Sequence, residues 1–266
     1  MQIRLAGGRL VAVAALAAVC GCVKLDNRLT VMPDGSGKFV LQMGYNEENL
    51  RSLRAGGALT GMDLSNLDLS SIDPRAVEKQ SAGFVAFARP RERTSGTWRF
   101  VEVTGYFEDL NKVRIWEEGT RREQLSFAFR KTAAGYDLTA RNLSVADAGG
   151  SRLATMIRTH TQLPDAARQF MAPMLAGLHL SEAYKLPGVV ATIQGLDMKS
   201  GRVAGTIITE AMAGDAEKVA YYQNLTTRRI ICGPSTVSAS ELKAFKDELT
   251  RAKADWAKIT AGNAQR

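Results

Sequence analysis

Three cysteines are the residues most capable of covalent chemistry in this chain, because the thiolate is a strong nucleophile. Cys20 and Cys22 flank Gly21 directly after an apolar run, whereas Cys232 ends the apolar stretch Arg229-Ile-Ile-Cys. A thiol in such a stretch is usually a core residue, so we predict that Cys232 is buried and unreactive. Covalent chemistry is therefore expected at one of the other two cysteines.

The N-terminal residues have the features of an export signal. Arg4 and Arg9 precede an uncharged apolar run from Leu10 to Val19, which is the order found in a secretory signal peptide. The run is well short of the roughly 20 apolar residues that span a bilayer, and Lys24 follows soon after it. The pattern favours a cleaved signal over a transmembrane helix.

The segment Val19-Cys-Gly-Cys22 resembles the bacterial lipobox, in which a small residue directly precedes the cysteine that is lipidated. The resemblance implies cleavage between Gly21 and Cys22. It also implies a diacylglyceryl thioether on Cys22, with palmitate-type chains that hold the protein at a membrane lipid surface. Cys20 stands where Ala or Ser is more usual, which leaves Cys20 open as the modified residue. A plain secreted protein with an incidental cysteine pair is the other alternative.

The mature chain, residues 22–266, is expected to be one basic domain anchored in the cell envelope. Removing residues 1–21 with their two arginines leaves 33 basic and 27 acidic residues, an excess of +6. Export argues against nucleic acid as the partner of this charge. Lys24 and Arg28, near the anchor, could each add about 1 kcal/mol of attraction to anionic lipid. In some Gram-negative bacteria, an Asp directly after the lipidated cysteine resembles an inner-membrane retention signal. This chain has Val23 at that position, which favours the outer membrane.

Other residue types that support catalysis do not form a recognisable site. The two histidines, His160 and His179, are too few for a zinc site. The segment Asp34-Gly-Ser-Gly-Lys38 lacks the remaining residues of a phosphate loop and predicts a hairpin turn. Adjacent carboxylates are expected to be solvated or to lie at helix N-termini, as at Glu47-Glu48, Glu108-Asp109 and Glu117-Glu118. We therefore predict no catalytic residue, no cofactor and no metal.

Alternation of apolar and polar residues predicts an antiparallel β-sheet. A hairpin is indicated by Leu25–Val31, the turn residues Pro33–Gly37 and the run Phe39–Met43. Further strands are predicted at residues 84–88, 97–107, 124–130, 136–141, 178–182, 189–194, 203–208 and 228–232. Helical patterns occur at residues 46–53, 151–178 and 215–224. Because strands and helices are largely segregated, we expect an α+β fold in which helices pack on an antiparallel β-sheet.

The clearest helix is predicted at the C-terminus. Ser238 and Glu241 have the spacing of a capping box. Apolar side chains then recur every three or four residues along one stripe, at Leu242, Phe245, Leu249, Ala252, Trp256 and Ile259. We expect this long amphipathic helix to dock on the sheet of its own domain.

Three motifs together resemble the LppM-type lipoprotein domain of bacterial envelopes. They are Leu29-Thr-Val-Met-Pro-Asp-Gly-Ser-Gly37, Gly105-Tyr-Phe-Glu-Asp-Leu110 and Leu186-Pro-Gly-Val-Val190. The resemblance covers most of residues 23–235 and implies an α+β envelope domain, with lipid binding as an open role and no catalytic residues. Two departures are Ile207-Ile208, where that family often has Trp, and the C-terminal helix, where a transmembrane segment can occur.

The leading functional hypothesis is a non-enzymatic envelope lipoprotein that binds or scaffolds another envelope component, either a protein or a lipid. A lipid carrier with an internal apolar cavity is the alternative, because Met156, Phe170, Met171 and Met174 could form an adaptable apolar groove. An envelope hydrolase with a catalytic triad scattered along the sequence is the less favoured alternative.

Overall fold

The computed structural model describes residues 23–48, 74–116, 123–142, 177, 179–209, 211 and 226–262. Its helices are α1 (Pro74–Lys79), α2 (Ala239–Gly262) and a 3₁₀ helix at Leu110–Lys112. Its strands are β1 (Val23–Val31), β2 (Gly37–Asn46), β3 (Ser81–Ala82), β4 (Phe84–Phe87), β5 (Arg91–Ser95), β6 (Trp98–Phe107), β7 (Arg114–Trp116), β8 (Glu123–Thr132), β9 (Gly135–Asn142), β10 (His179–Lys185), β11 (Gly188–Gln194), β12 (Met198–Ser200), β13 (Val203–Thr209) and β14 (Thr227–Ser235).

The strands form two sheets. The larger sheet has eight strands in the order β12-β13-β10-β1-β2-β6-β4, with β5 also paired to β6. The smaller sheet has six strands in the order β11-β14-β9-β8-β7-β3. The described strands pair antiparallel, as predicted, except β1 and β10, which are parallel. The first strand is therefore an interior strand, held on both sides.

The predicted α+β class is wrong. The structure is mostly β, with 59% of the described residues in strands and a single long helix at the C-terminal end of that part of the chain. The prediction relied on helical patterns at residues 46–53, 151–178 and 215–224, and most of these residues lie outside those that the structure describes. It also missed short strands such as β5, Arg91–Ser95, whose residues are all exposed and show no apolar alternation.

The turn between β1 and β2 confirms the predicted hairpin. The Asp34 carboxylate accepts hydrogen bonds from the backbone N–H of Ser36 at 3.1 Å and from its hydroxyl at 2.5 Å. Gly35 adopts a φ of +83°, which glycine tolerates without steric cost. The Asp34–Lys38 segment is thus a turn, as its composition predicted.

One buried core lies between the two sheets. It combines Leu29 and Phe107 of the larger sheet with Leu138 and Ile230 of the smaller one, and each of these side chains is at most 2% exposed. Leu110 of the 3₁₀ helix completes it. Burial of this apolar surface is the main force that holds the sheets together.

The C-terminal helix α2 confirms the predicted amphipathic helix. The Ser238 hydroxyl accepts a hydrogen bond from the Glu241 backbone N–H at 3.0 Å and caps the helix. The Glu241 side chain binds Arg202 at 2.8 Å instead of completing the capping box. The predicted apolar stripe packs on the larger sheet, with Phe245, Leu249 and Trp256 buried. Among the described helices, none is both long and apolar enough to cross a bilayer.

Polar contacts fix the position of α2 on the sheet. Lys246 binds Asp34, and Lys253 binds Glu108. Glu248 accepts hydrogen bonds from the Lys38 ammonium at 2.7 Å and the Tyr106 hydroxyl at 2.8 Å. Burial alone would raise the pKa of Glu248, but these two donors outweigh it and hold the pKa below its usual value. The middle of the helix is therefore aligned over the β1–β2 turn.

Candidate functional site

The residues that the sequence singled out are not brought together into one site. Gly21, Cys22 and His160 lie outside the described residues, so cleavage and lipidation remain predictions. His179 is the first residue of β10, opposite Lys24.

The other singled-out residues have structural surroundings. Cys232 is a free, buried thiol, and burial raises its pKa, in agreement with the predicted core role. Asp109 caps the 3₁₀ helix by accepting from the Asn111 N–H at 3.0 Å, as expected for an acid at a helix start. Glu47 lies 3.9 Å from Arg99 at the edge of the fold.

A row of polar residues crosses the inner face of the larger sheet. Asn27 on β1 is in register with Glu182 on β10, and Glu182 is in register with Thr206 on β13. Residues directly opposite one another on paired strands share a face. The neighbouring strand β2 continues the row with Leu41, which is buried. Three polar side chains therefore lie side by side on this face, next to buried apolar positions such as Leu29 and Ile208.

The smaller sheet contributes a cation to this row. Arg228 on β14 lies on the same buried face as Ile230 and Cys232, and its side chain is only 7% exposed. Its Nε lies 2.6 Å from a carboxylate oxygen of Glu182, whose side chain is 21% exposed. The contact has the distance of an ion pair but not the alignment of a hydrogen bond at Nε. The pair joins the two sheets across the interior.

Tyr184 completes the cluster from the next inward position of β10. Its hydroxyl donates a hydrogen bond to the other carboxylate oxygen of Glu182. Burial, followed by the negative charge of Glu182, raises the pKa of Tyr184 well above its usual value. The hydroxyl is therefore a stable donor at physiological pH. We call Asn27, Glu182, Tyr184, Thr206 and Arg228 the interior polar cluster.

Two members of the interior polar cluster have hydrogen-bonding capacity left over. Within the part of the chain that is described, the Asn27 side-chain oxygen and the Thr206 hydroxyl are buried without a hydrogen-bond partner. A buried polar group that makes no hydrogen bond costs about 1–3 kcal/mol, so native proteins generally give such groups a partner. Next to a buried ion pair, these two groups could bind the polar part of a ligand.

The described residues hold no group of three His, Cys, Asp or Glu side chains that could bind a metal ion. The chemistry available in the interior polar cluster is therefore hydrogen bonding and charge pairing: a carboxylate, a guanidinium, a phenol, an amide and a hydroxyl. Such a set can recognise the polar end of a molecule whose remainder lies against apolar side chains.

The interior polar cluster was missed at the sequence level, although each member leaves a trace. Asn27 interrupts the apolar positions Leu25 and Leu29 of its strand, and Glu182 stands between Leu180 and Tyr184. Thr206 and Arg228 occupy equivalent inward positions on their own strands. A polar residue at an inward position of a strand is the pattern that would have indicated them.

Comparisons with known proteins add little to this geometry. The chain matches no family model and no curated protein. One solved structure to which it is similar is the folded domain of LppM from Mycobacterium tuberculosis, with 10% sequence identity and a TM-score of 0.34, over 83% of this chain and 93% of that one. This likeness establishes neither a shared function nor a shared family.

Proposed function

We propose that the protein is a non-enzymatic envelope lipoprotein that binds or scaffolds another envelope component while tethered to a membrane through Cys22. The observation that carries this proposal is the position of β1. The strand begins at Val23, the residue that follows Cys22 in the sequence, and it is an interior strand of the larger sheet.

The pairing of β1 makes the proposed tether short and stiff. Strand β1 pairs with β2 over all nine of its residues and with β10 over Lys24–Thr30. A diacylglyceryl group on Cys22 would thus be separated from a hydrogen-bonded strand by a single peptide bond, which spans about 3.8 Å between Cα atoms. Two acyl chains give stable anchoring where one is marginal. The domain would be held directly on its membrane.

Replacing Cys22 by serine is expected to abolish acylation, because a hydroxyl does not replace the thiolate in this reaction. Cells expressing each variant are labelled with palmitate, and the purified chain is analysed by intact mass and by membrane fractionation. The wild-type chain should carry the label, begin at residue 22 and sediment with membranes. The Cys22→Ser chain should carry no label, whether it is released or kept as an uncleaved precursor.

Cys20→Ser is the matched control, since Cys20 is the other cysteine of the segment. It should keep the label and the mature mass of the wild type. Acylation of the Cys22→Ser chain, or loss of the label only from the Cys20→Ser chain, would contradict Cys22 as the anchor.

A second candidate function, the binding of an amphiphilic ligand such as a lipid, is favoured by the interior polar cluster. Asn27 and Thr206 offer a buried acceptor and a buried hydroxyl beside an ion pair. Further along the same face of the larger sheet lie buried apolar side chains, among them Met43 and Val103, which are 7% and 3% exposed. An amphiphile would satisfy both groups with its polar end and contact the apolar ones with its chain.

Mass spectrometry of the organic extract from the purified chain tests the second candidate. The wild-type protein should carry a bound amphiphile, and Thr206→Val should reduce its amount several-fold, because the substitution keeps the shape of the side chain and removes its hydroxyl. Thr104→Val is the control, since Thr104 lies on the opposite face of the larger sheet. Absence of an amphiphile from the wild type, or equal amounts in both variants, would refute ligand binding at the cluster.

A further inference from the structure

The end of the larger sheet at which Val23 lies carries two cations held over aromatic rings. The Lys24 ammonium lies 4.2 Å from the centre of the Trp98 ring, and the Arg93 guanidinium lies 4.0 Å from the centre of the Phe100 ring. Among the described residues, neither cation forms an ion pair with a carboxylate. Both are therefore available to an external anion.

The register of the strands explains why these groups meet. Lys24, Gly44, Phe100 and Arg93 are successive partners across β1, β2, β6 and β5, so they form one row on one face. A side chain at Gly44 would collide with Phe100, since an added Cβ would lie 2.5 Å from its ring. The glycine thus leaves room for the Phe100 ring beside Lys24.

Trp98 lies on the same face of β6, two residues from Phe100 in the direction of the same end of the sheet. It pairs with Asn46, the last residue of β2, and its ring stacks on Phe100 with 6.3 Å between ring centres. The adjoining edge strand β5 is exposed at every residue, as are Gly96 and Thr97 of the turn that follows it. We call Lys24, Arg93, Trp98 and Phe100 the cation–aromatic patch.

Neighbouring charges of this end are already paired. Arg28 binds Asp26 at 3.2 Å and Glu102 at 2.7 Å, so of the two basic residues near the proposed anchor, only Lys24 keeps its charge available. Arg99 binds Glu92 at 2.6 Å. Glu47 also lies 3.9 Å from Arg99, the next residue Glu48 is exposed, and Arg91 adds a further exposed cation on β5.

We infer that the cation–aromatic patch is the surface through which the tethered domain contacts anionic lipid headgroups. The inference rests on the proposed tether at Cys22, because a lipid on that residue would place Lys24, two residues away, at the level of the headgroups. Cations near an anionic surface attract phosphate, and tryptophan is enriched at the interface between membrane and water. The patch combines both kinds of side chain at the end of the sheet from which the anchor would extend.

Partition of the unacylated mature chain into vesicles tests the surface without the anchor. Residues 22–266 carrying Cys22→Ser, which retain every described residue, are mixed with vesicles of phosphatidylglycerol and phosphatidylcholine or of phosphatidylcholine alone. The chain should sediment with the anionic vesicles, lose this binding at high ionic strength and ignore the neutral vesicles. Arg93→Gln and Lys24→Gln should each weaken partition about fivefold, and the double variant more than tenfold.

Lys131→Gln supplies the charge-matched control. Lys131 is exposed on the β8–β9 hairpin. Phe129 of this hairpin approaches the β1–β2 turn, so the hairpin lies at the end of β1 that is opposite to Val23. It should leave partition unchanged, and circular dichroism checks that all variants are folded. Quenching of tryptophan fluorescence by brominated anionic lipid should be reduced by Trp98→Phe.

The inference fails if the chain does not prefer anionic vesicles, or if Arg93→Gln and Lys24→Gln bind as tightly as Lys131→Gln. These outcomes are distinct from failure of the tether. If Cys22 is not the lipidated residue, the Cys22→Ser chain will still carry the palmitate label. The vesicle assay uses unacylated protein and therefore tests the cation–aromatic patch independently of the tether.

Discussion

Replacing Arg228 by methionine is expected to lower the free energy of unfolding by about 3–5 kcal/mol, the range observed when one partner of a buried ion pair is removed. The Arg228 side chain is 7% exposed, and its partner Glu182 is 21% exposed. Methionine fills a similar volume without charge, so the main effect is a carboxylate left in the interior without its cation. Urea unfolding followed by circular dichroism measures the change.

The double variant separates charge imbalance from lost packing. Glu182→Gln removes the negative charge but keeps an oxygen that can accept the hydrogen bond from the Tyr184 hydroxyl. Added to Arg228→Met, it should recover most of the lost stability, because replacing both charges of a buried pair is often close to neutral. A double variant as unstable as Arg228→Met alone would show that the cost comes from packing.

Arg229→Met is the matched control for Arg228→Met. Arg229 is the next residue of β14 but faces solvent, and its side chain is 50% exposed. Its Nε and one terminal nitrogen donate hydrogen bonds to the Asp137 carboxylate. Exposed ion pairs contribute about 0–1 kcal/mol. Equal costs for the two substitutions would contradict the buried pair as a stabilising link between the sheets.

The double variant also bears on the role of the interior polar cluster. If it is stable but no longer carries an amphiphile, the ion pair is there to bind a ligand rather than to hold the fold. If it is stable and keeps the ligand, Asn27 and Thr206 are sufficient for binding. Stability and ligand content, measured on the same protein, therefore distinguish a structural ion pair from a binding one.

The individual elements were predictable where the pattern that defines them is local. The β1–β2 hairpin follows from alternation around the Asp34 turn, and α2 follows from its cap at Ser238 and the apolar stripe from Leu242 to Ile259. The pairing of strands that are distant in the sequence was not predictable in the same way. The parallel contact of β1 with β10 joins residues about 155 positions apart, such as Asp26 and Ser181, and no local pattern encodes it. The division into two sheets depends on such contacts.

The candidate site was hidden for the same reason. Glu182 and Arg228 belong to different sheets, so no spacing along the chain relates them as a motif would. A single strand indicates only that a polar residue stands at an inward position, as Asn27 does between Leu25 and Leu29. The cation–aromatic patch is similar, because Lys24 and Arg93 share a row only after β1, β2, β6 and β5 are aligned. Lipidation of Cys22, in contrast, depends on contiguous residues and needs no fold to be predicted.

Trp256→Ala is expected to lower the free energy of unfolding by about 3–5 kcal/mol, the usual cost of truncating a buried tryptophan or phenylalanine to alanine. Trp256 is 7% exposed and packs edge-on against Phe87 of β4, with 5.3 Å between ring centres. Such an aromatic pair adds about 0.5–1.5 kcal/mol beyond its buried area, so a cycle with Phe87→Ala should show a coupling of that size. Lys258→Ala is the control on the exposed face of α2, where the side chain is 78% exposed, and should change stability by less than about 0.5 kcal/mol. Equal effects at the two positions, in thermal and urea unfolding, would mean that α2 contributes nothing to the fold through its apolar stripe.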